Sequence, residues 1–193
     1  MLHLHPIKNQ ASPYWDSLVR IYLQSFPIDE QRPVESIARL FIEEPRYTMY
    51  AIVDADGERP KVIGESQEPR ANSHSLLGLL TTWKFADFIY IEHFAIDPAL
   101  RSQGYGSEAL KAFIQNLDKP LVLEAEPPTD EMTRRRIRFY ERIGLTLYDY
   151  PYIQPAYTEE SLPVELRLMG TIDTEATPLD RVSDTLHREV YGA

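Results

Sequence analysis

Residues 101–106 form the stretch of this chain whose residue types and spacing most clearly suggest chemistry. They lie between an apolar, strand-like segment and a helical one, and glycines occupy positions 104 and 106. The first N–H groups of a helix have no intrahelical partner, and the helix dipole adds partial positive charge at that end. Glycines let the main chain approach a ligand closely. The stretch therefore predicts a binding site for an anion such as a phosphate group, with an ordinary strand–helix junction as the alternative.

The spacing of the two glycines also occurs in some nucleotide-binding motifs. Gly104-x-Gly106 followed by Ala109 is compatible with a dinucleotide-binding motif. The order of predicted elements, however, lacks the second βαβ half that dinucleotide-binding enzymes use. A P-loop is excluded, because no Gly-Lys-Ser/Thr follows the glycines.

Three glutamates are candidates for taking a proton or for binding an ammonium group. Glu92 lies in an apolar strand, where a carboxylate is costly unless it has a partner or a function. By alternation it should share a strand face with Phe94, and His93 should lie on the opposite face. Glu124 and Glu126 alternate with apolar residues on the next strand, and they could point into a cleft where that strand separates from the strand of Glu92. The alternative is a strand edge with solvated carboxylates.

The segments that must position these residues predict a mixed α/β domain. Alternating apolar residues indicate strands, and helical spacing indicates helices. The strands before and after the glycine-loop helix should be parallel neighbours, because a helix bridges them. Residues 58–73 predict an exposed excursion with a short strand at 61–64. The predicted elements are a strand at 2–7, helices at 12–25 (Ser12 as N-cap) and 34–44, strands at 47–53, 75–85 and 88–96, a helix at 104–117, a strand at 121–126, a helix at 133–143, strands at 146–150 and 164–169, and a tail at 171–193 with one amphipathic helix.

Composition restricts the classes of function. The chain has 193 residues, which predicts one domain over residues 1–193. It has no cysteine, which excludes disulfides, thiolate nucleophiles and cysteine-based zinc sites, and we expect no metal. The net charge of -10 argues against nucleic acid as a partner and suits a cationic substrate. Neither a signal peptide nor an apolar run of membrane-spanning length is found, so we expect a cytoplasmic protein without a membrane partner.

Two segments together resemble the GNAT superfamily of N-acetyltransferases. The first runs from Ile91 through Asp97-Pro98 and the glycine loop into a helix. The second is the helix end Phe139-Tyr140-Glu141, followed by Gly144-Leu145. The resemblance implies a central, mostly antiparallel sheet of roughly six to seven strands. One parallel strand pair would be splayed at an acetyl-CoA site, helices would cover both faces, and the tail would add an extra C-terminal helix.

The resemblance also implies roles for individual residues. Tyr140 would protonate the departing thiolate. The base is not given by the resemblance: Glu92 is the candidate from its position in the strand, and Glu124 and Glu126 are the alternatives. A strand N–H would polarise the thioester carbonyl. The pantetheine arm would pair with the strand backbone, and main-chain N–H groups of the loop would hold the pyrophosphate. The predicted residues for acetyl-CoA are Phe94, Ala95, Ile96, Arg101, Ser102, Gln103, Gly104, Tyr105, Gly106 and Ser107.

The predicted function is therefore acetyl-CoA-dependent N-acetyl transfer to a primary amine, directly and within a ternary complex. The acceptor would be a small-molecule amine or a protein amine, with Glu124, Glu126, Asp29 and Glu30 as candidate contacts. The tyrosines around residues 148–157 would either hold the amine by cation–π contact or simply pack. The tail helix would cover the sheet or a neighbouring subunit of a homodimer. The alternatives are a non-catalytic acyl-CoA-binding or sensing module and a dinucleotide-dependent enzyme.

Overall fold

An eight-stranded sheet with helices on both faces forms the fold, in a computed structural model that describes residues 2–54 and 75–193. This is the predicted mixed α/β class, with at least one strand more than predicted. The excursion predicted at 58–73, including its short strand, lies outside the described residues. The described part of the chain contains no helix that is both long and apolar enough to cross a membrane.

The elements follow the predicted order closely. The helices are α1 (Trp15–Ser25), α2 (Val34–Glu43), α3 (Tyr105–Gln115), α4 (Glu131–Arg142) and α5 (Leu179–Leu186), and α5 continues as a π-helical turn, His187–Tyr191. The strands are β1 (Leu2–Ile7), β2 (Tyr47–Asp54), β3 (Ser75–Lys84), β4 (Ile89–Ile96), β5 (Leu121–Ala125), β6 (Thr146–Leu147), β7 (Tyr152–Gln154) and β8 (Val164–Gly170).

The sheet is antiparallel except at one strand pair. Its order is β1-β2-β3-β4-β5-β8, and β6 and β7 both pair with β8. β4 and β5 are parallel, as predicted for strands joined by the glycine-loop helix. The single closing strand predicted at 146–150 is wrong in its extent. It ends at Leu147, and the next short strand, β7, was not predicted.

Two hydrophobic layers cover the sheet. On one side, here called the α1 face, α1, α2 and α5 pack on side chains that include Tyr90 and Ala95. On the other, the α3 face, α3 and α4 pack on side chains that include Ile91 and Leu123. The predicted apolar stripe of the tail helix contributes Leu186 to the α1 face, so this helix covers the sheet.

A β-bulge in β4 changes which face its side chains occupy. Thr81 of β3 pairs with His93 and Thr82 pairs with Ile91, so Glu92 is the extra residue. Ile91 and Phe94 consequently both pack on the α3 face, while Glu92 and His93 both contact α1-face residues. The prediction that Glu92 shares the face of Phe94 and lies opposite His93 was therefore wrong, because strict alternation does not pass through a bulge. His93 does lie on the face opposite to Phe94.

Two predicted helix starts were also displaced. Ser12 does not cap α1, because Ser12 belongs to a turn in which Trp15 N donates to its carbonyl oxygen, and α1 begins after that turn. α4 begins at Glu131 rather than at Thr133. Asp130 is its N-cap, and Thr133 closes a capping box with that residue.

Candidate functional site

A cleft opens where the parallel strands β4 and β5 separate. Their pairing ends at Ile91 and Leu123, and β5 continues along β8 on its other side. The gap widens into a cleft of about 740 Å³, which is bordered by the glycine loop, by α4 and by β7 and β8. A splayed parallel pair leaves backbone hydrogen-bonding groups without a strand partner.

The end of β4 directs backbone groups into this cleft. The N–H of Asp97 donates to Leu77 O, and the N–H of His93 donates to Thr81 Oγ1, so both point toward β3. Because backbone N–H groups alternate along a strand, those of Phe94 and Ile96 point the other way, into the cleft. Ile96 O accepts a hydrogen bond of 3.3 Å from Arg101 Nε. An extended chain could therefore pair with this edge as a strand does.

The glycine loop has the backbone geometry of a helix N-terminal anion site. Gly104 is the N-cap of α3 with a φ of 87°, and Ser102 also has a positive φ of 65°. Arg101 is fixed to Ser25 Oγ of α1 at 3.0 Å. Of the ten residues predicted to hold acetyl-CoA, nine line the cleft. The tenth, Gln103, instead accepts a hydrogen bond from the Tyr105 hydroxyl.

Tyr140 lies on α4 with its ring in the α3-face layer and lines the same cleft. Burial raises the pKa of the Tyr140 hydroxyl, and the positive charge of Arg136 acts against that rise. A phenol with a raised pKa keeps its proton at neutral pH and can donate it. The structure thus places Tyr140 on the same cleft as the glycine loop, as the two-segment resemblance requires.

Glu92 is engaged in a buried polar cluster. One of its oxygens lies 2.9 Å from Arg32 Nε and accepts from the Tyr157 hydroxyl, and the other accepts from Trp83 Nε1. Burial alone would raise the pKa of Glu92, but the Arg32 guanidinium and these donors hold it below its usual range. A carboxylate whose pKa is lowered by a neighbouring guanidinium is a weak base, so this geometry does not favour the predicted role of Glu92 as general base.

Two tyrosines of the closing segment contact other parts of the protein and do not form an open lid. The guanidinium carbon of Arg32 lies 4.6 Å from the centre of the Tyr157 ring, so the cation over this ring belongs to the protein itself. The Tyr148 hydroxyl donates to Ile172 O. Packing, one of the two alternatives for these residues, therefore describes Tyr148, and a cation–π contact with Arg32 describes Tyr157.

Glu124 has the opposite electrostatic setting and lines the cleft from β5. The hydroxyls of Tyr90 and Tyr191 donate to Glu124 Oε2 at 2.7 and 2.8 Å, and that of Tyr152 donates to Oε1. Burial raises the pKa of Glu124 to about 7, while the three tyrosine hydrogen bonds act to lower it. A carboxylate that titrates near neutral pH is suited to proton transfer.

The remaining predicted acidic residues differ in position. Glu126, at the end of β5, lines the cleft and pairs with Arg136 of α4. Glu30 also lines the cleft, and burial raises its pKa while Arg136 acts to lower it. Asp29 is not among the residues that line the cleft, and it accepts a hydrogen bond from Leu162 N instead. Its predicted contact with substrate is therefore not supported by its position.

Two residues of the site were missed in the sequence. Gln154 of β7 is buried and lines the cleft, and Tyr191 of the C-terminal turn contacts Glu124. The alternation of Tyr152, Ile153 and Gln154 would have indicated that the first and third side chains share a face. No local signal connects Tyr191 to Glu124, because 67 residues separate them.

Comparison with known families and structures agrees with this geometry. The model of the Acetyltransferase (GNAT) family matches residues 15–145 of the chain. Among solved structures, a protein described as a GNAT-family acetyltransferase from Bacteroides thetaiotaomicron is 30% identical, with a TM-score of 0.83 and 99% of both chains covered.

More distant structures share the fold. An acetyltransferase from Bacillus subtilis, solved in complex with CoA, is 14% identical with a TM-score of 0.51 and covers 88% of this chain and 95% of its own. A spermidine N-acetyltransferase from Vibrio cholerae, in complex with CoA and spermine, is 12% identical with a TM-score of 0.54. It covers 88% of this chain and 94% of its own.

Proposed function

The chain belongs to the GNAT acetyltransferase family, and on that basis we propose that it is an acetyl-CoA-dependent N-acetyltransferase. It acts as one domain over residues 1–193 and transfers the acetyl group to a primary amine directly, within a ternary complex. The observation that carries the proposal is the cleft between β4 and β5, which the glycine loop, Tyr140 and Glu124 all line.

The residues present fit acetyl-CoA, which supplies the acetyl group as an activated thioester. The N–H groups of Phe94 and Ile96 would bind the extended arm, and the positive-φ loop at the start of α3 would bind the pyrophosphate. Arg101, held by Ser25, fixes the entry into this loop. Arg135 and Arg142 also line the cleft from α4 and add positive charge.

Glu124 acts as the general base in this proposal. An amine arrives largely protonated at neutral pH and must lose a proton before it can attack a carbonyl carbon. Glu124 takes that proton, directly or through a water molecule, because its pKa of about 7 leaves a large fraction of the carboxylate free to accept it. This assignment replaces Glu92, because the ion pair with Arg32 holds the pKa of Glu92 below its usual range.

Tyr140 acts as the general acid. Its raised pKa keeps the phenol protonated, and the cleft gives the hydroxyl access to the sulfur that carries away the bonding electrons. The ammonium group gives one proton to Glu124 before it attacks. When the C–S bond breaks, Tyr140 gives its proton to sulfur, and the new amide nitrogen gives up a second proton that restores the Tyr140 phenol, directly or through a water molecule. Direct transfer is consistent with a chain that has no cysteine to carry an acyl group.

Calorimetric titration with acetyl-CoA, and separately with NAD, tests the cofactor. Binding of acetyl-CoA alone supports the proposal, and binding of NAD without acetyl-CoA refutes it. Tyr140→Phe should lower kcat by about 10²-fold or more, which is typical for loss of a general acid, with little change in the Kd of acetyl-CoA. Tyr14→Phe is the matched control, because Tyr14 precedes α1 at the end of that helix opposite to Ser25. Unchanged kcat in Tyr140→Phe would remove Tyr140 from the mechanism.

A further inference from the structure

Gln154 presents an unused hydrogen-bond donor to the cleft. Its side chain is only 3% exposed, it lines the cleft, and its Nε2 has no hydrogen-bond partner among the described residues. An amide nitrogen that is both buried and unpaired costs free energy in the absence of a partner. The residue therefore has the character of a binding group whose partner arrives with the substrate.

Gln154 lies on the strand that contacts the proposed base, two residues beyond the contacting tyrosine. Gln154 and Tyr152 lie on the same face of β7, and the Tyr152 hydroxyl donates to Glu124. Two residues along a strand are separated by about 6.6 Å. A substrate that places its amino group at Glu124 therefore brings its next few atoms toward Gln154.

Two acidic groups of the cleft are already paired within the protein. Glu92 pairs with Arg32 at 2.8 Å, and Glu126 pairs with Arg136. Among the described residues that line the cleft, this leaves Glu124 and Glu30 without an ion pair. With Glu124 at the reacting amine, a second ammonium group of a polyamine would find only Glu30. Burial raises the pKa of Glu30, which favours its neutral form, so the desolvation of a second ammonium group would be poorly compensated.

From these contacts we infer that Gln154 Nε2 donates a hydrogen bond to an oxygen of the acceptor, and that the acceptor is an amine with a carbonyl or carboxylate oxygen close to its amino group. Such an α-amino carbonyl unit occurs in free amino acids and at the N-terminus of a peptide. The inference rests on the proposed N-acetyltransferase function. It adds that the acceptor site recognises an oxygen atom and not a second positive charge.

The test compares alaninamide with sec-butylamine, which replaces the carboxamide by an ethyl group, and with spermidine. In the wild-type protein, kcat/KM should be higher for alaninamide than for spermidine. In Gln154→Leu, the KM of alaninamide should rise roughly 10-fold with little change in kcat, because one hydrogen bond to a buried group is lost. The KM of sec-butylamine should stay the same. Comparing variants with one substrate at a time cancels the difference in basicity between the amines.

Ile153→Ala provides a matched control on the same strand. The Ile153 side chain points out of the cleft and is 57% exposed, so both KM values should be unchanged. Free alanine and alanyl-alanine, used as parallel substrates, distinguish an amino acid from a peptide N-terminus as the source of the oxygen.

The outcomes separate this inference from the function on which it rests. Equal changes for alaninamide and sec-butylamine, no change for either, or a wild-type preference for spermidine would overturn the inference and leave N-acetyl transfer intact. A preference of the wild-type protein for spermidine would overturn the inference even if Gln154→Leu fails to fold. If the wild-type protein acetylates none of these amines, the proposed function fails and the inference fails with it.

Discussion

Tyr191→Phe should move the acidic limb of the pH profile of kcat/KM to higher pH. Burial raises the pKa of Glu124 to about 7, and hydrogen bonds from Tyr90, Tyr152 and Tyr191 act in the opposite direction by favouring the charged carboxylate. The phenylalanine variant retains the burial and loses one of the three donors. The carboxylate is consequently less stable, and the pKa of Glu124 should rise further.

The size of the shift follows from the strength of one hydrogen bond. A hydrogen bond to a charged group contributes about 1.5–3 kcal/mol, and a difference of about 1.4 kcal/mol corresponds to one pH unit. Tyr90 and Tyr152 keep their hydrogen bonds to Glu124, so the carboxylate stays partly stabilised and the shift should lie near the lower end of this range. We therefore expect a shift of about one pH unit. The base form is needed for activity, so activity is lost below the pKa, and this loss begins at higher pH in the variant.

The measurement is kcat/KM between pH values of about 5.5 and 9, for two amines of different basicity. A limb that reports the amine moves with the choice of amine, whereas a limb that reports Glu124 does not. Tyr14→Phe should reproduce the wild-type profile. The reasoning is refuted if the amine-independent limb is missing in the wild-type protein, or if it stays in place in Tyr191→Phe.

Three further predictions test separate parts of the structure. Gly104→Ala should lower the free energy of unfolding in urea by about 1–2 kcal/mol because of the φ of 87°. Gly106→Ala should leave the free energy of unfolding unchanged, since the added Cβ atom would lie at an ordinary van der Waals distance of 3.5 Å from Ile96. Arg32→Met should cost about 3–5 kcal/mol by leaving Glu92 buried and unpaired, and adding Glu92→Leu should recover part of that loss. Since burial raises the pKa of Glu124 from 4.5 to about 7, the native state holds its proton longer than the unfolded chain does. As the pH rises from 4.5 to about 7, the free energy of unfolding of the wild-type protein should therefore fall by up to about 3 kcal/mol relative to that of Glu124→Gln. A difference in urea unfolding between the two proteins that does not change with pH would contradict this.

The side of the cleft that we propose to bind acetyl-CoA could be predicted from sequence because it is local. The end of β4, the loop at 101–106 and the start of α3 are consecutive, and glycine at 104 indicates the positive φ that the loop requires. The parallel pairing of β4 and β5 also followed from the helix between them. Short-range rules for strands, turns and helix ends were sufficient here. They predicted the fold class, and nine of the ten loop and strand residues that they selected line the cleft.

The acceptor side could not be predicted in the same way, because distant residues decide it. The bulge at Glu92 depends on how β4 pairs with β3, and the side chain it redirects is held by Arg32, 60 residues away. The alternation rule therefore assigned Glu92 to the wrong face. The choice between Glu92 and Glu124 as base was equally non-local. It depends on Arg32 pairing with one carboxylate and on tyrosine hydroxyls surrounding the other.

The two sides of the cleft also differ in where they lie along the chain. The family match covers residues 15–145, which include the glycine loop and Tyr140. Tyr152, Gln154 and Tyr191 all lie beyond it, yet they contact Glu124 or line the cleft next to it. The C-terminal turn further accepts a hydrogen bond from Arg32 at Val190 O, and so supports the cluster around Glu92. Because two of the three tyrosines around the proposed base come from a segment outside the family match, we expect that substitution there can change the acceptor preference while the proposed acetyl-CoA site and Tyr140 stay the same.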